Sequence, residues 1–164
     1  MKKVIVIGCA GAGKTTFSEK LRDATGLPLF YLDAIWHRPD KTHIPRDEFD
    51  VILGDILAKD EWIIDGNYSR TVERRMAECD TVFLLDLPTE VCLEGATARI
   101  GKKRVDMPWI DTELDPNLKR EIEEFPNKNL PAIYALIEKY QDGKTVVIFK
   151  SREQADAFLN GENL

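Results

Sequence analysis

The sequence predicts a three-layer α/β domain, a parallel sheet with helices on both faces. Three observations point there. Five short apolar runs, Val4–Ile7, Leu29–Leu32, Trp62–Ile64, Val82–Leu85 and Val146–Phe149, are continuous rather than alternating, as strands buried on both faces are. Segments with helical spacing separate them, and strands joined through helices close as right-handed βαβ units. Between the first run and the first helical segment lies Gly8-Cys9-Ala10-Gly11-Ala12-Gly13-Lys14-Thr15, a complete match to G-x-x-x-x-G-K-[ST].

Taken in order, the first run follows Met1-Lys2-Lys3 and precedes Ala10-Gly11-Ala12, an arrangement that imitates a secretory leader. Gly13-Lys14-Thr15 gives those residues a better role as strand and loop. Phe17, Leu21 and Ala24 recur at helical intervals, and Gly26 then Pro28 stop that helix before the second run. Phe49, Ile52, Leu53, Ile56 and Leu57 form the apolar stripe of a helix leading to the third run. After the fourth, Asp86-Leu87-Pro88 is placed to open another helix. Ile133, Leu136, Ile137 and Tyr140 mark a helix ending at Asp142-Gly143, and Ser151 with Gln154 reads as a capping box opening a last helix around Ala155, Phe158 and Leu159. The stretch 101–116 carries charges, two prolines and no clear period, and is expected to be a short lid. No repeat or linker interrupts residues 1–164, so one domain is expected.

Composition narrows the function. With 29 acidic against 23 basic side chains the chain carries a formal charge of −6, which argues against a main task of gripping DNA or RNA. A small phosphorylated ligand needs only a local cluster of cations. Cys9, Cys79 and Cys92 form neither a C-x-x-C pair nor an even framework, so reduced thiols and a cytoplasmic setting are expected. No apolar run approaches the roughly 18 residues of a membrane helix. The two histidines, His37 and His43, have no cysteine or acid at zinc-ligand spacing.

The glycine-rich stretch carries the chemistry. Its glycines let the backbone fold back and bring amide N–H groups close to phosphate oxygens, and the helix it enters favours an anion at its N-terminus. Lys14 is expected at the β- and γ-phosphates and the Thr15 hydroxyl on Mg²⁺, with Gly8 through Thr15 wrapping ATP; Thr16 reads either as a contact to the α-phosphate or the metal's surroundings or as a plain helix residue. Cys9 reads either as a thiol activated by the helix N-terminus or, more simply, as a small filler.

Three of the other apolar runs end in a carboxylate: Asp33, Asp65 and Asp86. In a parallel sheet these gather on the edge where the phosphate loop emerges. Asp65 is expected in the metal shell with Thr15, because Gly66-Asn67-Tyr68-Ser69-Arg70 places a turn and a cation beside it. Asp86 reads as a second metal acid or a helix cap. Asp33 is expected to orient an acceptor hydroxyl or take its proton, with a helix cap as the alternative. Trp36 reads as a wall for a planar substrate or as core. Seven cations lie between residues 69 and 104, whereas from 105 onward twelve acids face seven bases. Arg70 is the expected phosphoryl contact, and Arg99 and Arg104 flank the lid, placed to close onto the transferring group. Each arginine beyond Arg70, Arg74 and Arg75 included, reads singly as a solvated helix position, while at least one of the group is expected to serve.

These motifs resemble a family. Gly8-x-x-Gly11-x-Gly13-Lys14-Thr15 resembles the phosphate loop of adenylate kinases, Asp65-Gly66-Asn67-Tyr68-Ser69-Arg70-Thr71 looks like their Asp-Gly-Phe-Pro-Arg-Thr signature, and Asp80 to Pro88 is similar to their fourth strand. Tyr31-Leu32-Asp33, Trp62 to Arg70 and Arg104-Val105-Asp106-Met107 resemble the adenylate-kinase-related DNA topology modulation proteins. The resemblance implies a phosphate-loop NTPase fold with a five-stranded parallel sheet in the order 2-3-1-4-5. It also implies Mg-ATP as the phosphoryl source, an acceptor near Asp33 and Arg70, and lid arginines on ATP. Gly95 stands about where these kinases carry an arginine, and Ser69 replaces the signature proline. The sequence-based reading is therefore a phosphotransferase moving the γ-phosphoryl of Mg-ATP to a small acceptor, a nucleotide or nucleoside first and a hydroxylated acid next. The alternative is an ATP-binding regulator that transfers nothing. A monomer or weak homodimer is expected, and no motif chooses ATP over GTP.

Overall fold

Each apolar run is a strand, and the helical stripes between them are helices, in a computed structural model that describes residues 1–161. Chain order is β1 (Lys3–Gly8), α1 (Lys14–Thr25), β2 (Leu29–Tyr31), α2 (Leu32–Trp36), α3 (Arg46–Leu57), β3 (Trp62–Asp65), α4 (Ser69–Glu78), β4 (Thr81–Leu85), α5 (Thr89–Ala98), α6 (Pro116–Lys128), α7 (Leu130–Tyr140), β5 (Thr145–Phe149) and α8 (Arg152–Leu159). The strands form one parallel sheet in the order β2-β3-β1-β4-β5, flanked by helices, as the resemblance implied. Between Ala98 and Pro116 the chain forms no helix or strand.

The central strand explains the core. Val4 to Ile7 have no exposed surface because β3 and β4 flank β1 and helices cover both faces. Phe17 of α1, Phe83 of β4, Phe149 of β5 and Phe158 of α8 form an aromatic cluster with ring centroids 5.0 to 5.9 Å apart. Burying such a side chain contributes roughly 1.5–3 kcal/mol. The cluster fixes α1, and with it the phosphate loop, against the sheet. Ser151 caps the last helix as read, its Oγ accepting from the Gln154 amide at 3.2 Å, but the return bond of the box falls one residue earlier: Gln154 Oε1 accepts from the Lys150 amide at 2.7 Å.

Two local readings need correction. The second run does not stay extended to Leu32: β2 stops at Tyr31, and Asp33 lies in the first turn of α2, not at a strand end. Arg75 is not a solvated helix position. It is fully buried and donates to the carbonyl oxygens of Gly66 at 2.8 Å, Asn67 at 2.7 Å and Tyr68 at 3.3 Å. Those carbonyls belong to the turn after β3; Tyr68 also accepts from the Thr71 amide at 2.9 Å, and a long forked donor props the whole turn from below. Burial pulls the guanidinium down to about 10, and the nearby Asp65 charge partly opposes the shift.

Candidate active site

The chain leaves β1 and turns through Gly8–Gly13 into α1. Gly13, at φ 101°, is the N-cap; no side chain caps the helix and its first turn holds no acid, so its free amides face outward for an anion. Gly11 shows why the loop must lack side chains. At φ 78° a Cβ there would sit 2.0 Å from the Cys92 carbonyl oxygen of α5, so the loop and helix pack backbone to backbone. Lys14 Nζ donates to the Cys9 carbonyl at 2.9 Å, folding across its own loop.

This loop forms one wall of a cleft of about 1160 Å³. Its lining includes Asp33, Asp65, Arg99, Arg104, Asp106 and Arg152. That volume exceeds the roughly 300–1,000 Å³ of an ordinary small-molecule site. The opposite wall is the segment between α5 and α6 that the sequence suggested as a lid.

Thr15 and Asp65 come together: Thr15 Oγ1 donates to Asp65 Oδ2 at 2.8 Å. Asp65 is only 4% exposed, and its Oδ1 accepts no hydrogen bond. Burial pushes its carboxyl up to about 6 from the usual value near 3.8, against the pull of Lys14 and Thr15 and with further push from the Asp33 and Asp106 charges. A buried carboxylate with an orphaned oxygen beside a hydroxyl fits a divalent cation, whose preferred ligands are oxygens. Among the described residues no three His, Cys, Asp or Glu side chains gather into an all-protein cage. Mg²⁺ characteristically takes one or two carboxylates and fills its shell with phosphate oxygens and water.

Asp33 also lines the cleft, and Tyr68 donates its hydroxyl to Asp33 Oδ1 at 2.8 Å. Tyr68 adopts φ 26°, an unusual conformation for a side chain of its size, held by Arg75 beneath its carbonyl. Burial and the Asp33 charge raise the Tyr68 phenol well above its ordinary value, so it stays a donor. Trp36 serves both readings at once: it touches the cleft and packs on His43, 4.2 Å away and nearly parallel, with Phe49 edge-on at 5.5 Å. His37 meets Trp109 edge-on at 5.0 Å, and burial lowers its pKa.

The arginines divide. Arg99 is half-buried in the cleft, makes no ion pair among the described residues, and has its pKa lowered by burial and then by neighbouring Arg104. Arg104 lies beside it, paired with Asp106. Arg70 lies elsewhere. It grips Asp50 of α3 through two hydrogen bonds of 2.9 and 2.7 Å, beside a second pocket of about 180 Å³ that Trp36, Phe49 and Tyr68 also line. Asp86 plays neither expected part: Tyr134 donates to it at 2.6 Å and Lys150 pairs with it, away from the cleft. Cys9 is a buried filler whose thiol is pushed up by Cys92 and burial. Thr16 lines the cleft, and its hydroxyl has no hydrogen-bond partner among the described residues.

Two cleft residues escaped the sequence reading. Asp106 is 2% exposed and reaches Thr15 Oγ1 at 3.2 Å; its only signal was the Arg104-Val105-Asp106-Met107 likeness. Arg152 donates to the carbonyl oxygens of Gly11 at 3.1 Å and Val91 at 3.0 Å, joining the phosphate loop to α5. It lies over Gly95, where a Cβ would come within 2.5 Å of its Nη2 and 2.1 Å of the Gly11 carbonyl oxygen. No arginine fits at position 95 in this packing. Arg152, at the start of α8, brings a guanidinium to that place instead.

No family model matches the chain. Adenylate kinases of Thermotoga neapolitana and Thermotoga petrophila are 30% identical to it over 88 residues, 52% of this chain and 39% of theirs. The matched stretch thus spans well under half of those relatives. Among solved structures, shikimate kinase from Acinetobacter baumannii in complex with shikimate aligns at a TM-score of 0.63 and 17% identity, over 98% of this chain and 92% of that one. An unliganded sugar kinase from Janibacter sp. HTCC2649 aligns at 0.56 and 19% identity, over 98% and 91%. The fold is that of the phosphate-loop kinases.

Proposed function

We propose that the protein is a kinase that moves the γ-phosphoryl group of Mg-ATP to a hydroxyl of a small acceptor, favoured as a nucleotide or nucleoside. The observation that carries this reading is one cleft in which an uncapped phosphate loop, Lys14, the Thr15–Asp65 pair and the unpaired Arg99 face the Asp33–Tyr68 pair. The local similarity to adenylate kinases supports it. The loop amides hold the β-phosphate, and Lys14 leaves the Cys9 carbonyl to reach the β- and γ-phosphates. Thr15 and Asp65 would hold Mg²⁺, which when bound would neutralise charge on the phosphates. Asp33, its other oxygen steadied by Tyr68, orients the acceptor hydroxyl and takes its proton as the acceptor oxygen bonds to the γ-phosphorus. The bond from that phosphorus to the β-phosphate oxygen breaks, and ADP leaves. Arg99, Arg104 and Arg152 stabilise charge spreading over the phosphoryl oxygens.

A second reading, a nucleotide-binding regulator without transfer, draws on Arg70, which is tied to Asp50 and so leaves the acceptor side without its expected cation. The likeness to DNA topology modulation proteins suggests a third, which the acidic charge of −6 disfavours. Incubating the protein with labelled Mg-ATP and a panel of nucleosides, nucleotides and sugar acids separates them. The kinase reading expects ADP release stimulated by one class of acceptor and abolished in Lys14→Ala. Tight binding with trace hydrolysis favours the regulator, and salt-sensitive retention on duplex DNA favours the third.

A further inference from the structure

The carboxylate of Asp106 has no role in the chemistry above, although it is among the most deeply buried charged groups of the chain. It belongs to the segment between Ala98 and Pro116, far in sequence from the phosphate loop, yet it reaches Thr15 Oγ1 at 3.2 Å while Asp65 takes the same hydroxyl at 2.8 Å. One hydroxyl carries one proton, so it satisfies only one of these acceptors at a time. Asp106 Oδ1 and Asp65 Oδ1 are both buried and both lack any hydrogen-bond partner. On Asp106, Arg104 reaches Oδ2 and leaves Oδ1 alone, while its other terminal nitrogen lies 3.8 Å from Asp111 Oδ2. Two carboxylates therefore converge on one hydroxyl, each with an orphaned oxygen, in a wall of the nucleotide cleft. Leaving one buried acceptor unpaired costs roughly 1–3 kcal/mol, and more when it is charged. A hard divalent cation wants the oxygens present here: a hydroxyl and two carboxylates, with phosphate and water for the rest.

We propose that Asp106 is a ligand of the divalent cation, so that the cation ties the sheet edge, through Thr15 and Asp65, to the segment that closes the cleft. The inference rests on the Mg-ATP reading and adds to it. Cation loading and lid closure become one event, because the lid delivers a ligand. Arg104, which now neutralises Asp106, is released from it as the cation takes over that charge, and with Asp111 as its one remaining carboxylate among the described residues its guanidinium can turn to the nucleotide phosphates.

The test compares nucleotide affinity with and without Mg²⁺ by calorimetry in the intact protein and in Asp106→Asn, which keeps the side chain's shape. Loss of a ligand should cost no less than the roughly 10–100-fold in metal affinity seen when outer-shell partners are removed. The ratio of Mg-ATP to Mg-free ATP affinity should therefore fall at least about tenfold in the variant. Its affinity for Mg-free ATP should stay equal or rise, since one repelling charge is gone. Hydrogen exchange of the unaltered protein gives a second readout that needs no variant: amides of 101–115 should slow when Mg²⁺ is added to saturating ATP. An unchanged affinity ratio in Asp106→Asn, or exchange of 101–115 indifferent to Mg²⁺, overturns the inference while nucleotide binding leaves the kinase reading standing. If the unaltered protein binds no nucleotide at all, both fall.

Discussion

Asp65→Asn should make the metal-free protein more stable while taking away its response to Mg²⁺. The folded-state carboxyl, pushed up to about 6, lies above its ordinary value of 3.8, so the native protein holds this proton more tightly than the unfolded chain. That contribution to stability is full below about pH 4 and is lost as pH rises through about 6. A gap of roughly two pH units at about 1.36 kcal/mol each leaves the ionised group costing about 3 kcal/mol at neutral pH. Asparagine keeps the shape and an acceptor for the Thr15 hydroxyl but carries no charge. Its buried N–H reduces the gain to about 2 kcal/mol. Urea denaturation in chelator, repeated across pH, reads the difference directly. The variant should be more stable by about 2 kcal/mol near pH 7.5, and the two curves should cross on acidification, leaving it about 1 kcal/mol less stable below about pH 4, where only the N–H cost remains. Saturating Mg-ATP should then favour the unaltered protein, since a ligand at a hundredfold excess over its Kd adds about 2.7 kcal/mol. A variant less stable than the parent in chelator at neutral pH would refute the view that Asp65 is held charged at a cost for the sake of a cation.

Two further outcomes can be checked with single substitutions. Arg75→Met removes the side-chain donors to the Gly66 and Asn67 carbonyls, and one of the donors to Tyr68, and should cost about 3 kcal/mol in chemical denaturation, with faster hydrogen exchange in 66–70. Gly95→Ala places a methyl 2.1 Å from the Gly11 carbonyl and against Arg152, so α5 must shift at a cost of about 1–3 kcal/mol, and calorimetry should show weaker ATP binding.

What the sequence made legible was local or periodic. Val4–Ile7 and its four counterparts declare buried strands by continuous apolarity, and the eight residues from Gly8 to Thr15 carry their whole meaning in order and spacing. Asp65 was legible because it ends a strand beside that loop. Asp106 was not, because its partner Thr15 is 91 residues away and nothing in an irregular charged segment says which acid turns inward. Arg75 was hidden for a related reason: on a polar helix a buried guanidinium and a solvated one look alike, and only the carbonyls of the preceding turn separate them. Arg152 was masked by its neighbour, since Ser151 and Gln154 already explained that stretch as a helix start. Arg70 illustrates the converse: the turn after Asp65 placed a cation nearby, but Asp50, on a helix earlier in the chain, holds it outside the cleft.

The central claim is that the backbone from Gly8 to Thr15 encloses a triphosphate with Lys14 at its far end. A crystal structure with a non-hydrolysable ATP analogue and Mg²⁺ tests it most directly. The account predicts phosphate oxygens within hydrogen-bond distance of the loop amides, with the Lys14 ammonium moved off the Cys9 carbonyl onto the terminal phosphates. An analogue bound elsewhere, or Lys14 still folded onto Cys9 beside an empty loop at saturating nucleotide, would contradict it.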